Sequence, residues 1–442
     1  MSVDNSELLM LLGGKKSKST IGKAGQQGFG VGVYGGDPAD LTAMGLAPME
    51  GCEDPTSDNY GNYIHTNGSV MVFIPAFCYR IGNKSAPSYS RDAENALEIR
   101  DASEGEGDGW ILHRAFIDGG AQKLGFFMDK YLCSKDSTGN LAISVKGAEP
   151  LALTTLHNDH PPSIEMPGCY GKFYDAITLA RARGEHYACV SAFQWSAMAM
   201  LSLAHGQAAT GADFCAWYDA NHKTNFPKGC NNNYKDANDE TITFTSLAPH
   251  YGVKTGSAVP FAKTTHNGQN CGICDINGNV YQPLLGILLN RTIFSGDERA
   301  GDPAGIIKPA KEAVKMHEFT KDTFTDSTLF ADPVWDFELG LYMSADRSWG
   351  LAEGNGVFLE QVSGSKRALC GVVPKSSTGT STGTALFGTD SFKLMFYTDY
   401  VILASGSSID STNAGVFYRN GLDYVWDQRS SDTGLRVAGY AN

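Results

Sequence analysis

The chain carries few charges for its size. Only 19 % of its 442 residues are Asp, Glu, Lys or Arg, against about 25 % in an ordinary globular domain. Basic residues are the scarcer kind: 35 Lys and Arg stand against 48 Asp and Glu, a net charge of −13. No basic footprint is present to neutralise phosphates, so no nucleic-acid partner is expected. Long apolar runs are missing as well. Nothing approaches the roughly 20 apolar residues of a membrane span, so no membrane insertion is expected. The apolar Leu8–Leu12 is short and precedes Lys15, Lys16 and Lys18 instead of following them, which is the wrong layout for a secretory signal. Synthesis in a cytoplasm is the expectation.

What is abundant is glycine, with 51 copies, alongside 42 % hydrophobic and 11 % aromatic residues. Such a chain buries a real core but spends much of its length in turns and short strands, which argues against a helical bundle. Its ten cysteines sit mostly in apolar surroundings, as in Phe77-Cys78-Tyr79 and Ala188-Cys189-Val190. Without an export signal they read as reduced, buried thiols.

Residues 1–66 read as a separate N-terminal arm for assembly. Gly13-Gly14 and Gly25–Gly30 look flexible, and Asp37-Pro38 and Asp54-Pro55 are turn signals. The glycines at 28, 30, 32, 35 and 36 lack the preceding strand and following helix that a phosphate cradle needs. Folding proper is expected from about residue 67, with a buried strand at Ser69–Pro75. Ala115–Asp118 and Gly125–Tyr131 read as a second strand pair. Two helices are legible, one over Lys172–Arg183 ending at Gly184, the other opening at Ser191 with Gln194 at capping-box spacing and stopping at Gly206. The Met and aromatic stripe of the second is core. Polar stretches near 84–109 and 207–270 read as surface insertions. Beyond 330 the pattern is short strands, among them Leu369–Val373, Phe392–Phe396 and Tyr400–Ala404.

Six fragments then occur in a suggestive order. Met71–Phe77 looks like the opening strand of formylglycine-generating-enzyme-type domains, and Phe127-Met128-Asp129-Lys130-Tyr131 resembles their aromatic-x-Asp-Lys-Tyr strand. Val190–Met198 is similar to their helix, and Asn277–Gln282 to their Gly-Asn-Val-Trp-Glu hairpin. Ala414–Asn420 and Gly434–Ala438 mirror the two late motifs, with Leu435 in place of the family's usual Phe. Spread over about 370 residues, these imply a C-type-lectin-like domain of α+β class over 67–442, with large loop insertions and the N-terminal arm before it.

The resemblance admits enzymes and ligand binders. The enzymes of this type use a thiol pair between the last two motifs, and 415–434 holds no cysteine. Thiolate chemistry cannot run without the sulfur, so no enzymatic activity is expected. The segment instead holds Tyr418, Asn420, Asp423, Tyr424, Trp426, Asp427, Arg429 and Ser430. These are types that serve recognition surfaces, giving rigid contact area and adaptable hydrogen bonds. The tail is similar to the variable segment of retroelement-diversified proteins, including phage tail-tip receptor binders. Gly415, Val416 and Phe417 would pin one side to the core, with Leu435 and Val437 pinning the other. The same residues also fit a plainer reading: Tyr424 and Trp426 share strand parity and would serve as core, Asp423 and Asp427 as turn residues.

The resemblance therefore implies a virion protein of the phage tail, made in the bacterial host cytoplasm. It would bind a host-surface glycan or protein, contact other tail proteins through its arm, and assemble as a homotrimer. A structural virion protein, in the tail or as a decoration, is the alternative, and a formylglycine-generating-type oxidase a further one. Cys271-Gly272-Ile273-Cys274 is a lone pair, with only His266 and Asp275 nearby as additions, and reads as packed thiols. Asp236–Glu240 offers oxygen ligands for a structural calcium ion but lacks the twelve-residue loop pattern, so a solvated turn is expected and no other cofactor. His157 and His160 read as a surface turn fixed by Pro161 and Pro162.

Overall fold

A computed structural model describes residues 19–138, 141–151, 173–248, 252–291, 305–331, 347–348, 371–372, 390–394, 400–421 and 433–441. The protein is a mixed α/β structure, mostly strands with few helices. Two six-stranded sheets organise it. The first runs in the order Leu46–Pro48, Asn62–His65, Val70–Pro75, Gly125–Asp129, Val437–Gly439, Tyr187–Cys189. The second runs Gly305–Pro309, Gln282–Arg291, Tyr400–Ser405, Gly415–Gly421, Ser391–Leu394, Arg347–Ser348. Neighbours are antiparallel except for Ser391–Leu394 beside Gly415–Gly421. The last strand thus lies between strands from early in the chain, and the first sheet is closed by non-local pairing.

The strand Val70–Pro75 forms where the β-branched and aromatic run is densest. Met71, Val72, Phe73 and Ile74 are all fully buried, as a central strand covered on both faces requires. Phe126, Phe127 and Met128 answer it from the neighbouring strand. The helix Ala192–Ala208 opens at Ser191, whose hydroxyl accepts the Gln194 N–H while the Gln194 side chain takes the Ser191 N–H. Every residue from Ala192 to Gln207 is buried. That all-round burial explains a helix with no polar face. It packs on Leu97–Asp101, Gln282–Arg291 and Gly415–Gly421. Gly206 does not stop it, and the helix continues to Ala208.

Three boundaries read from the sequence move. The segment 19–66 is not an arm separate from the domain, because Leu46–Pro48 and Asn62–His65 are strands of the first sheet, and Ile21, Phe29, Val31 and Met44 join the main core. Residues 84–109 are only partly an insertion: Leu97–Asp101 pairs with Phe77–Ile81, while 103–109 form its exposed end. The 207–270 region contains almost no regular structure but is not a loose loop. Buried amides satisfy backbone groups within it, as burial demands. Asn277 donates to the Pro227 carbonyl at 2.8 Å, and Asn279 brackets both backbone groups of Val253 at 3.1 Å. Of Ala115–Asp118, the first two residues belong to a short helical turn, Arg114–Phe116, and Ile117–Asp118 form a two-residue strand paired with Ala121–Gln122. The expected helix over 172–183 is present at Phe173–Arg181.

Candidate recognition site

The frame expected around the late segment is built from buried residues on both sides. On the first side, Gly415 lies against Asp390, and an added Cβ there would sit 2.0 Å from the carboxylate. Asp390, itself buried, accepts the Phe417 N–H at 2.8 Å. Burial pushes the Asp390 carboxyl well above the usual range, against the pull of the Phe417 N–H and Arg419. Val416 and Phe417 are buried, and Trp195 of the core helix donates its indole N–H to the Val416 carbonyl at 2.8 Å. Arg419 is wholly buried and spends its guanidinium on the carbonyls of Val416, Tyr418 and Gly371 at 2.8–3.0 Å.

On the second side, Leu435, Arg436 and Val437 are 0 % exposed. Arg436 donates to Gln282 at 2.6 Å and to the carbonyls of Asp129, Cys274 and Asp275 at 2.7, 2.8 and 3.2 Å. One guanidinium thereby ties the last strand to the Phe126–Lys130 region and to the turn before Gln282. The two sides meet on one residue. Tyr281 stacks on Tyr418, ring centroids 5.7 Å apart, while its backbone bridges Thr433 and accepts the Gly434 N–H at 2.8 Å. The strand that ends at Gly421 and the chain from Thr433 onward are therefore both fastened at Tyr281.

No protein-family model and no curated protein matches this chain.

Of the residues expected to recognise a receptor, Tyr418 and Asn420 lie inside the structure, 1 % and 5 % exposed. Their strand is flanked on both edges by Tyr400–Ser405 and Ser391–Leu394, so Tyr418 is an anchor of the frame and neither residue faces outward. Asp423, Tyr424, Trp426, Asp427, Arg429 and Ser430 lie outside the described residues. Sequence reading missed Tyr281. Its signal was its place at the exit of the Asn277–Asn279 turn, one residue before the strand that pairs with Tyr400–Ser405.

The other candidate chemistry resolves into structure. Cys271 and Cys274 are buried, and burial raises both thiols, Cys274 well above the ordinary value. The Cys274 thiol donates to the Lys130 carbonyl at 3.3 Å and to the Asp275 carboxylate at 3.2 Å. The eight described cysteines are all buried, as the sequence suggested. Among the described residues no three His, Cys, Asp or Glu side chains are grouped to hold a metal ion. Asp236 is buried rather than solvated, accepting the N–H groups of Gly229 and Asn238 at 2.7 and 2.8 Å, and Asp239 pairs with Lys263 at 2.6 Å. His266 is a buried ring between the Ile273 N–H and the Gly30 carbonyl. His157 and His160 lie outside the described residues. Among the described residues no helix is long and apolar enough to cross a membrane.

Proposed function

We propose that this chain is an adhesion protein of a phage tail, with a C-type-lectin-like fold, and that residues 422–432 contact a receptor on the host surface. The observation that carries the reading is the closure of both segment ends on Tyr281, backed by Arg419 and Arg436 within the core. A segment held this way can change its sequence without disturbing the fold that presents it, since its anchors belong to other residues. Its composition supports recognition: Tyr424, Trp426 and Arg429 are the types that dominate binding hot spots. The order of the six motifs and the absence of cysteine between 415 and 434 favour binding over catalysis.

The receptor is a glycan or protein of the host cell surface, and the assembly is a homotrimer seated among other tail proteins. Multiple copies would raise a weak single-site affinity by roughly 10²–10⁴. Because 19–66 belongs to the domain core, whatever assembly contacts it makes are those of a folded surface. The test is attachment of the purified full chain to intact bacteria of the host strain, measured by flow cytometry with a non-host strain as control. Saturable attachment to the host alone is expected. No attachment to either would favour a structural role in the virion instead.

A further inference from the structure

A cleft of about 220 Å³ opens between the 55–58 turn, the 212–216 loop and the 268–271 turn. Its size is about seven liquid waters at ~30 Å³ each. It falls below the roughly 300–1,000 Å³ of drug-sized sites, so it suits a single small ring. Asp58 and Asp213, Gln27, Gln269 and Asn270, and the aromatic Phe214 are among the residues that line it. Among the described residues no Lys, Arg or His lines it.

The walls are fixed before any ligand arrives. Asn270 donates to the Asp58 carboxylate at 2.9 Å, and buried Lys130 donates to the Asp58 main-chain oxygen at 3.2 Å. Gln269 accepts the Gly28 N–H at 2.7 Å and donates to the Gln26 carbonyl at 3.3 Å. The Ala216 N–H donates to the Gly268 carbonyl at 3.0 Å, and the Phe214 carbonyl accepts from His205 at 2.8 Å. These bonds join three chain segments, so little ordering remains to oppose binding.

We infer that this cleft binds a neutral sugar ring. Carboxylates and amide oxygens accept from vicinal hydroxyls, amide N–H groups donate to them, and the electron-rich face of Phe214 receives the C–H face of the ring. The two carboxylates outnumber the one ammonium behind them, Lys130 on the Asp58 main-chain oxygen, so the net negative charge of the cleft disfavours phosphates, uronic acids and sialic acids. None of the residues that line this site belongs to 422–432, and the inference does not depend on the role of that segment.

The test is saturation-transfer NMR on the full chain with methyl glucoside, methyl mannoside, methyl galactoside and N-acetylglucosamine, beside glucuronic and sialic acid. The wild type is compared with Phe214→Ala and with Asp213→Asn, an exposed position whose change spares the fold. At least one neutral sugar should give a signal and the acids none. Both variants should lower that signal at least fivefold, with the melting temperature of Asp213→Asn unchanged. The Tyr424→Ala/Trp426→Ala/Arg429→Ala variant should keep it in full. Silence from every neutral sugar, an equal response to the acids, survival in both cleft variants, or loss in the segment variant would each overturn the assignment.

Discussion

Arg183 and Asp129 form an ion pair whose side chains are 1 % and 0 % exposed. Asp129 closes the strand Gly125–Asp129, and Arg183 lies just past the helix Phe173–Arg181. The second Asp129 oxygen accepts the Val437 N–H at 3.1 Å and the Cys133 thiol at 3.1 Å. Arg183 also donates to the Ala142 carbonyl at 3.2 Å. The pair therefore joins a helix end, an early strand and the last strand. Removing one partner leaves the other charge buried and alone, which costs about 3–5 kcal/mol. Asp129→Ala should lower unfolding free energy by that amount in urea titrations, with detachment of the last strand seen as faster hydrogen exchange at Val437 and Ala438.

Stability should fall on mild acidification because of two histidines. His205 and His266 are fully buried, and burial lowers each to about 4 from an ordinary 6.5. Each Nδ1 accepts a backbone N–H, from Gly25 and Ile273 respectively, at 3.1 and 3.0 Å. Protonation would set an N–H against an N–H. The unfolded chain thus takes up protons first, so the stabilisation is whole above pH 6.5 and is lost as pH falls toward 4. Between pH 6.5 and 5 each contributes a loss of about 2 kcal/mol. Asp118, Asp236 and Asp390, whose carboxyls burial raises, act in the opposite sense. The histidine part is therefore read as a difference in slope: His266→Asn should flatten the urea-midpoint profile between pH 7 and 5, and an unchanged slope would refute it.

Gly206→Ala should destabilise, although alanine is the better helix former by about 1 kcal/mol. An added Cβ would lie 2.6 Å from the Asn225 carbonyl, on the loop that crosses the helix there. Overpacking of this kind costs about 1–3 kcal/mol, so a net drop in melting temperature is expected by calorimetry.

Ser191→Ala removes half of the capping box at the start of the core helix and should cost about 1 kcal/mol. Restoring the cap with Ser191→Thr should recover most of it in the same denaturation assay.

Local signals were legible where they govern local structure. The Ser191–Gln194 spacing located the helix start, and the Val70–Pro75 and Tyr400–Ser405 runs located core strands. What failed depended on partners distant in sequence. Gly206 read as a stop because its reason, the Asn225 carbonyl, lies 19 residues away. Residues 19–66 read as an arm because the amides and rings that fasten them, Gln269, His205 and Asn267, come 180–241 residues later. Tyr418 read as a surface residue because its stacking partner Tyr281 gives no periodic signal. The frame residues Val416, Phe417, Leu435 and Val437 were visible as apolar flanks of a polar aromatic stretch, and all four are buried.

The claim that residues 422–432 contact the receptor is tested most directly by Tyr424→Ala/Trp426→Ala/Arg429→Ala, assayed for attachment to host cells after circular dichroism and melting confirm the wild-type fold. The account predicts at least a hundredfold weaker attachment, since each of these residue types costs about 1 kcal/mol or more when it sits in a hot spot. Attachment unchanged in a folded variant would contradict it.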